Sequence, residues 1–239
     1  MRDATRRTVV WEALRTVLSE RAESTGRRTL DIVDAGGGTG GFAVPLAELG
    51  HVVTVVDPTP DSLAALERRA AETGVGVKGL QGDAADLGEL LEPGSADLVL
   101  CHSVLEYVED PARALGAVRG ILRPGGVVSL LAANSVAVAL HRSLAGHFDE
   151  ARRSLSDPDG RWGDRDPTPR RFSRETLSGL MEAAGFTVRD VHGVRIFADL
   201  VPGMLADGDP DGLIALEQAA AAHPVLRDIA TRLHVIACR

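Results

Sequence analysis

Cysteine is scarce. Cys101 and Cys238 are the only two in 239 residues, and they fit no metal-ligand or redox spacing. Free thiols in a reducing compartment follow, so the chain reads as cytoplasmic. Aromatic residues make up only 3%, which leaves few platforms for stacking exposed bases. Lysine occurs once, at Lys78, so nearly every cation is an arginine. Long apolar runs are missing too: the longest, 127–140, is interrupted by Ser129, Asn134 and Ser135 and is not expected to span a membrane. The start, MRDATRRTVVWEAL, is polar and arginine-bearing and does not read as a signal peptide.

What is present is ordinary for a soluble globular chain: 44% hydrophobic and 25% charged residues. At this length the core is large enough to need no disulfide staples. The net charge is −8, the wrong sign for a surface that grips nucleic acid all over. One segment stands apart. Arg152, Arg153, Arg161, Arg165, Arg170, Arg171 and Arg174 fall among only four aspartates, and read either as a solvated, Pro/Gly-broken loop or as a patch facing an anionic partner.

Strands and helices alternate through residues 1–133. A helix is expected at 6–23, where Val10, Leu14, Val17 and Leu18 share a face. Strands follow at 30–34, 52–57, 75–81, 97–101 and 127–132, with helices at 41–49, 61–73 (capped by Asp61) and 111–122. This βαβ rhythm implies a parallel sheet with helices on both faces. Residues 134–171 read as an irregular insertion with one helix near 136–145. Residues 172–239 then close the sheet: a helix at 173–184 ending at Gly185, an alternating stretch 186–197 that suits an edge-strand pair or one long bent strand, a helix near 211–222, and a strand at 233–238. The expectation is a single domain with an inserted lid.

The sharpest signal is Asp34-Ala-Gly-Gly-Gly-Thr-Gly-Gly41 after the first strand. Glycines at Gly36, Gly37, Gly38 and Gly40 let the backbone turn tightly and bring amide hydrogens to a ligand. Asp57 ends the second strand 23 residues later, where a carboxylate can accept hydrogen bonds from a ribose diol. The spacing Gly36-x-Gly38-x-x-Gly41 by itself leaves a nicotinamide dehydrogenase and an S-adenosylmethionine methyltransferase both open. After the third strand, Asp83, Ala84 and Ala85 form a cluster suited to the amino group and ring edge of adenine. HSVLEY (102–107) follows the fourth strand, and LRPGG (122–126) leads into the fifth.

Together these motifs resemble the class I S-adenosylmethionine methyltransferases. That resemblance implies a Rossmann-like α/β fold with a seven-stranded, mostly parallel sheet whose last strand is antiparallel. HSVLEYVEDP, LAGHFD (144–149), GVRIF (193–197) and RLHVIACR (232–239) further resemble the tRNA 5-carboxymethoxyuridine methyltransferase family, which converts a wobble-uridine carboxylate into its methyl ester. The match implies that S-adenosyl-L-methionine is contacted by Arg6, Gly36, Gly37, Asp57, Ala84, Ala85 and His102. The family carries a further stretch before its first helix, so cover over the cofactor is expected to be shorter here or to lie upstream. The insertion after Asp149 is richer in arginine and aspartate than the family pattern.

A carboxylate acceptor is already an anion at neutral pH and needs no general base, consistent with a sequence that offers no Ser/His/Asp or Cys/His constellation. It does need a cation or donors for its oxygens; Arg195 in GVRIF and Asn134 after the fifth strand are the candidates. Three readings stand: an RNA-carboxylate methyltransferase reached through the arginine-rich segment 152–174, a small-molecule methyltransferase with His102 or Glu106 as base, and a non-catalytic S-adenosylmethionine-binding protein.

Overall fold

The computed structural model describes residues 2–239, with side chains from Thr8 onward. In chain order the elements are α1 (Arg2–Thr25), β1 (Asp31–Ala35), α2 (Ala43–Glu48), β2 (Val52–Asp57), α3 (Pro60–Thr73), β3 (Lys78–Gln81), a 3-10 turn (Ala84–Asp86), α4 (Leu87–Leu90), β4 (Ala96–His102), α5 (Pro111–Ile121) and β5 (Leu122–Ala133). They continue with α6 (Ser135–Leu144), α7 (Phe148–Ser156), α8 (Arg174–Ala183), β6 (Thr187–Val194), α9 (Gly203–Gly208), α10 (Pro210–Ala221), a 3-10 turn (Arg227–Ile229) and β7 (Arg232–Cys238).

The seven strands form one sheet in the order β3-β2-β1-β4-β5-β7-β6. β1 pairs in parallel with β2 and β4, and β2 with β3. β7 runs the other way. Arg239 N donates to Gly126 O and Asn134 N to Thr231 O, so eight residues forward on β5 are eight back on β7. On its other side, Thr231 N donates to Arg195 O and His192 stacks on His234, the same reversal against β6. β4 is buried along its whole length. Its apolar run, with no alternation, is what a strand covered on both faces requires.

The chain divides into two compact units. One comprises the N-terminal residues to Arg15, Leu131–Gly179 and Asp190–Val235; the other comprises Thr16–Leu130, Leu180–Arg189 and Ile236–Arg239. Several expectations shift by a residue or more. α3 is capped by Thr59 with Pro60 in its first turn, not by Asp61; a proline ring fixes the helical φ where no amide partner is needed. Extended backbone starts at Leu122, ahead of the turn at Gly125 (φ +66°). Residues 134–171 hold two helices instead of one, because α7 buries Ala151 and Ser154 on one face of an otherwise polar stretch. The 186–197 stretch is a single strand that stops before Arg195, whose φ is +62°.

One ion cluster secures the amino ends of β1 and β4. Asp97, fully buried, takes hydrogen bonds from Arg27, from Arg123 Nη1 (2.8 Å) and from Asp31 N (3.0 Å), and Arg21 Nη2 lies at 3.5 Å. Burial pushes its carboxyl up, but the Asp31 amide and the guanidiniums outweigh this and hold it below the ordinary carboxylate value. Its stabilising contribution is therefore complete above the unfolded pKa of about 3.9 and is lost as pH falls through the lower folded value. Asp97→Asn is expected to destabilise the fold by about 1.5–3 kcal/mol at pH 7, the range for hydrogen bonds to a charged group, since it leaves the partly exposed guanidiniums of Arg27, Arg123 and Arg21 without their partner. The gap to wild type should narrow in acid; denaturant titrations at pH 7 and pH 3 measure both.

Candidate functional site

The strand order reverses beside β1. The chain leaves β1 for β2 on one side and comes back to β4 on the other, so the carboxyl ends of β1 and β4 part and leave a crevice, the usual ligand position in such sheets. Asp34 at the end of β1 is buried there. Gly36 N donates to Val56 O (2.7 Å), drawing the following loop against β2. Gly36 has φ +74°, and a Cβ on it would lie 2.4 Å from Val104, in the segment after β4. A Cβ on Gly37 would meet the Asp34 carboxylate at 2.6 Å. Neither position accepts a side chain. The turn closes with Gly40 N on Gly37 O, and Val44 N on Gly40 O starts the helical bonding that leads into α2.

Asp57, at the end of β2, is also buried, and its carboxylate is shared out. Oδ2 accepts Gly38 N at 2.9 Å and Oδ1 accepts Thr59 N at 2.9 Å. Each oxygen keeps a lone pair for a further donor, which suits the two hydroxyls of a ribose. Asp83 caps the 3-10 turn by accepting Ala85 N at 2.9 Å, and Ala84 is buried beneath it. Beside it lies a cavity of about 250 Å³ lined by Asp83, Ala85, Asp86, Glu109, Asp110 and Arg113.

His102 is buried, 2.8 Å from Ser129 Oγ through Nε2 and edge-on to Phe42 at 4.9 Å between ring centroids. A hydroxyl thus holds one nitrogen of the ring. Ser103, the next residue, adopts φ +61°, a conformation that is strained for a side chain with a Cβ. Neither Ser129 nor Ser103 carried a sequence signal; both depend on how β5 and the crevice meet the end of β4. Burial, then the charges of Glu106 and Asp34, push the Cys101 thiol up to about 12, so it is no nucleophile at neutral pH. Among the described residues no group of three or more His, Cys, Asp or Glu is placed to hold a metal ion. Arg6 lies outside the described side chains.

The two acceptor candidates belong to the other unit, and both are engaged. Asn134 caps α6 by accepting Val136 N at 3.1 Å, while its amide donates to Asp228 O (2.9 Å) and Ala230 O (2.8 Å). Arg195 pairs with Asp199, whose other oxygen accepts the Thr231 hydroxyl at 2.7 Å. The loop after Arg195 is gathered by Glu217, which is buried and which sequence reasoning passed over. Its carboxylate accepts the amides of Ile196, Phe197 and Ala198 at 2.9, 2.8 and 2.7 Å.

The arginine-rich segment is largely spoken for. Arg171 makes a two-pronged pair with buried Asp166 (2.7 and 2.9 Å), Arg170 pairs with Asp159, Arg174 with Asp228, and Arg152 with Asp149 across solvent. Arg161 donates its backbone amide to Asp157, and Arg153 and Arg165 are exposed.

Comparison with known proteins matches the geometry. A family model described as a methyltransferase domain covers residues 33–130. The tRNA 5-carboxymethoxyuridine methyltransferase of Escherichia coli O157:H7 is 34% identical over 204 residues, covering 81% of this chain and 72% of that protein. The chain belongs to the S-adenosylmethionine-dependent methyltransferases. A ubiquinone biosynthesis O-methyltransferase of Paraburkholderia phymatum is 28% identical over 207 residues, 85% of this chain and 83% of that one. The crystal structure of an S-adenosylmethionine-dependent methyltransferase from Mesorhizobium loti shares the fold, with a TM-score of 0.60, 23% identity and coverage of 88% and 91%.

The methyltransferase uses S-adenosyl-L-methionine as its cofactor, and the crevice fits that molecule: three successive glycines at 36–38, a carboxylate with two lone pairs to spare and a polar cavity beside Asp83. Asp57→Ala is expected to weaken S-adenosylmethionine binding by about 1.5–3 kcal/mol, the range for hydrogen bonds to a charged group. Titration calorimetry checks this, and unchanged affinity would remove Asp57 from the site.

Proposed function

We propose that this methyltransferase esterifies a carboxylate, that of 5-carboxymethoxyuridine in tRNA, in the cytoplasm. The observation that carries this reading is the likeness to the E. coli enzyme of that name. It covers 81% of the chain, well past the 33–130 domain shared with methyltransferases in general. Among the described residues, no helix is long and apolar enough to cross a membrane.

In this reading residues 1–133 hold the cofactor, 134–171 recognise the acceptor and 172–239 complete the sheet. Asp34, the amides of Gly36, Gly37, Gly38 and Gly40, and Arg6 serve the methionine end. Asp57 takes the ribose, Asp83, Ala84 and Ala85 take adenine, and His102 stands at the end of β4. When bound, S-adenosylmethionine supplies an electrophilic methyl group. The acceptor carboxylate is deprotonated at neutral pH, so this chain's task is alignment and exclusion of water and not proton removal. The high Cys101 pKa and the Ser129 contact of His102 accord with a site without a committed base.

Arg195 supports the acceptor side through Asp199 and Thr231, and Asn134 holds the end of β5. Arg195→Ala is expected to lower kcat/KM for the acceptor by about tenfold or more, roughly 1.4 kcal/mol, with S-adenosylmethionine affinity within about twofold of wild type. Equal turnover in steady-state assays would remove it from the site.

A second reading, a small-molecule O-methyltransferase, is favoured by the P. phymatum relative; a phenol acceptor would then need His102 or Glu106 as base. Methyl transfer to bulk tRNA, compared with a panel of small carboxylates and phenols, separates the two. Labelled tRNA supports the first, and labelled phenols with inert tRNA would replace it.

A further inference from the structure

The unit that contains α6 holds a cavity of about 200 Å³ that no step above has used. Its floor is apolar, from the end of β5 and one face of α6, and its polar wall comprises Asn134, His141, Thr168, Arg171, Thr231 and Arg232. None of its nine lining residues is acidic, although the chain as a whole is. Two carboxylates outside the lining hold wall residues in place. Asp166 fixes Arg171 in a two-pronged pair, and Asp199 accepts the Thr231 hydroxyl, which in turn lies 3.3 Å from His141 Nε2. Two guanidiniums, an imidazole and two hydroxyls therefore surround a small space with an apolar base.

Size narrows the occupant. Pockets that enclose whole drug-sized ligands run from about 300 to 1,000 Å³, so this one suits an arm of a substrate rather than a nucleoside. The wall is chemically complementary to an anion, since guanidinium forks and hydroxyls satisfy carboxylate oxygens. We propose that this cavity is the acceptor subsite, taking the carboxylate arm of the methyl-accepting base against Arg171, Arg232 and Thr168. The proposal rests on the carboxylate reading above and moves direct acceptor contact from Arg195 and Asn134 to these three residues. Arg171 is held in place by Asp166, so Arg232 and Thr168, which enter the wall from separate segments, are the residues to substitute. An RNA phosphate offers the same anionic chemistry, and the test has to tell it from the carboxylate.

Two anticodon stem-loop RNAs, identical except for 5-carboxymethoxyuridine or neutral 5-methoxyuridine at the wobble position, provide the probe. Binding of each is measured with S-adenosylhomocysteine present, and methylation of the first is followed in steady state. Wild type is expected to prefer the carboxylate RNA. Arg232→Gln should remove about tenfold of that preference and raise the acceptor KM by a similar factor, with kcat and S-adenosylmethionine affinity little changed; Thr168→Val should move in the same direction. If both variants keep the preference, the cavity is not the subsite. If both RNAs weaken equally, the wall reads a phosphate and the carboxylate assignment falls. If wild type methylates no carboxylate RNA, the acceptor class itself is wrong and this proposal fails with it.

Discussion

The loop after β1 is stapled to the end of β2, and the shape of the crevice there depends on that staple. Gly36 N on Val56 O and Gly38 N on the Asp57 carboxylate hold six residues of irregular backbone against a parallel strand pair. The arrangement works only because nothing projects from Gly36 and Gly37: Val104 and the Asp34 carboxylate already occupy the places where Cβ atoms would go. Asp57 shapes the loop with one lone pair of Oδ2 and keeps others open. In the proposed reading the same residue builds the site and contacts its occupant, which ties affinity to fold.

Much of this was legible in advance. β2 runs from Val52 to Asp57 as its unbroken valine-rich run indicates, and the glycine cluster lies where strand and helix meet. These signals are local, and short-range geometry sets them. What sequence did not show depends on distant partners. Ser129 reaches His102 from a strand 27 residues on. Glu217 gathers the amides of 196–198 from a helix about twenty residues away. The left-handed conformations of Ser103 and Arg195 break the usual preference of non-glycine residues, so composition gives no warning of them. α7 escaped notice because its buried face is just Ala151 and Ser154, too small for a hydrophobic period.

Charge told a similar story. Seven arginines within a short stretch look like a cationic surface when counted along the chain. In three dimensions four of them meet aspartates: Asp149 just before the segment, Asp159 and Asp166 within it, and Asp228 far along the chain. Pairing of this kind contributes modestly at the exposed Arg152–Asp149 contact and more at buried Asp166, where the carboxylate's own burial is offset by Arg171 and by the amides of Thr168 and Trp162. The segment thus behaves as a cross-linked loop, with Arg152, Arg153 and Arg165 as its exposed cations.

The central claim is that the methyl group ends up on a carboxylate oxygen. Methyl esters are cleaved by mild alkali and release methanol, whereas methyl ethers and methylated amines survive it. After incubation of the purified enzyme with methyl-labelled S-adenosylmethionine and tRNA bearing 5-carboxymethoxyuridine, the label in the RNA should become volatile on brief treatment with base. Label that stays on the RNA under those conditions would contradict the account.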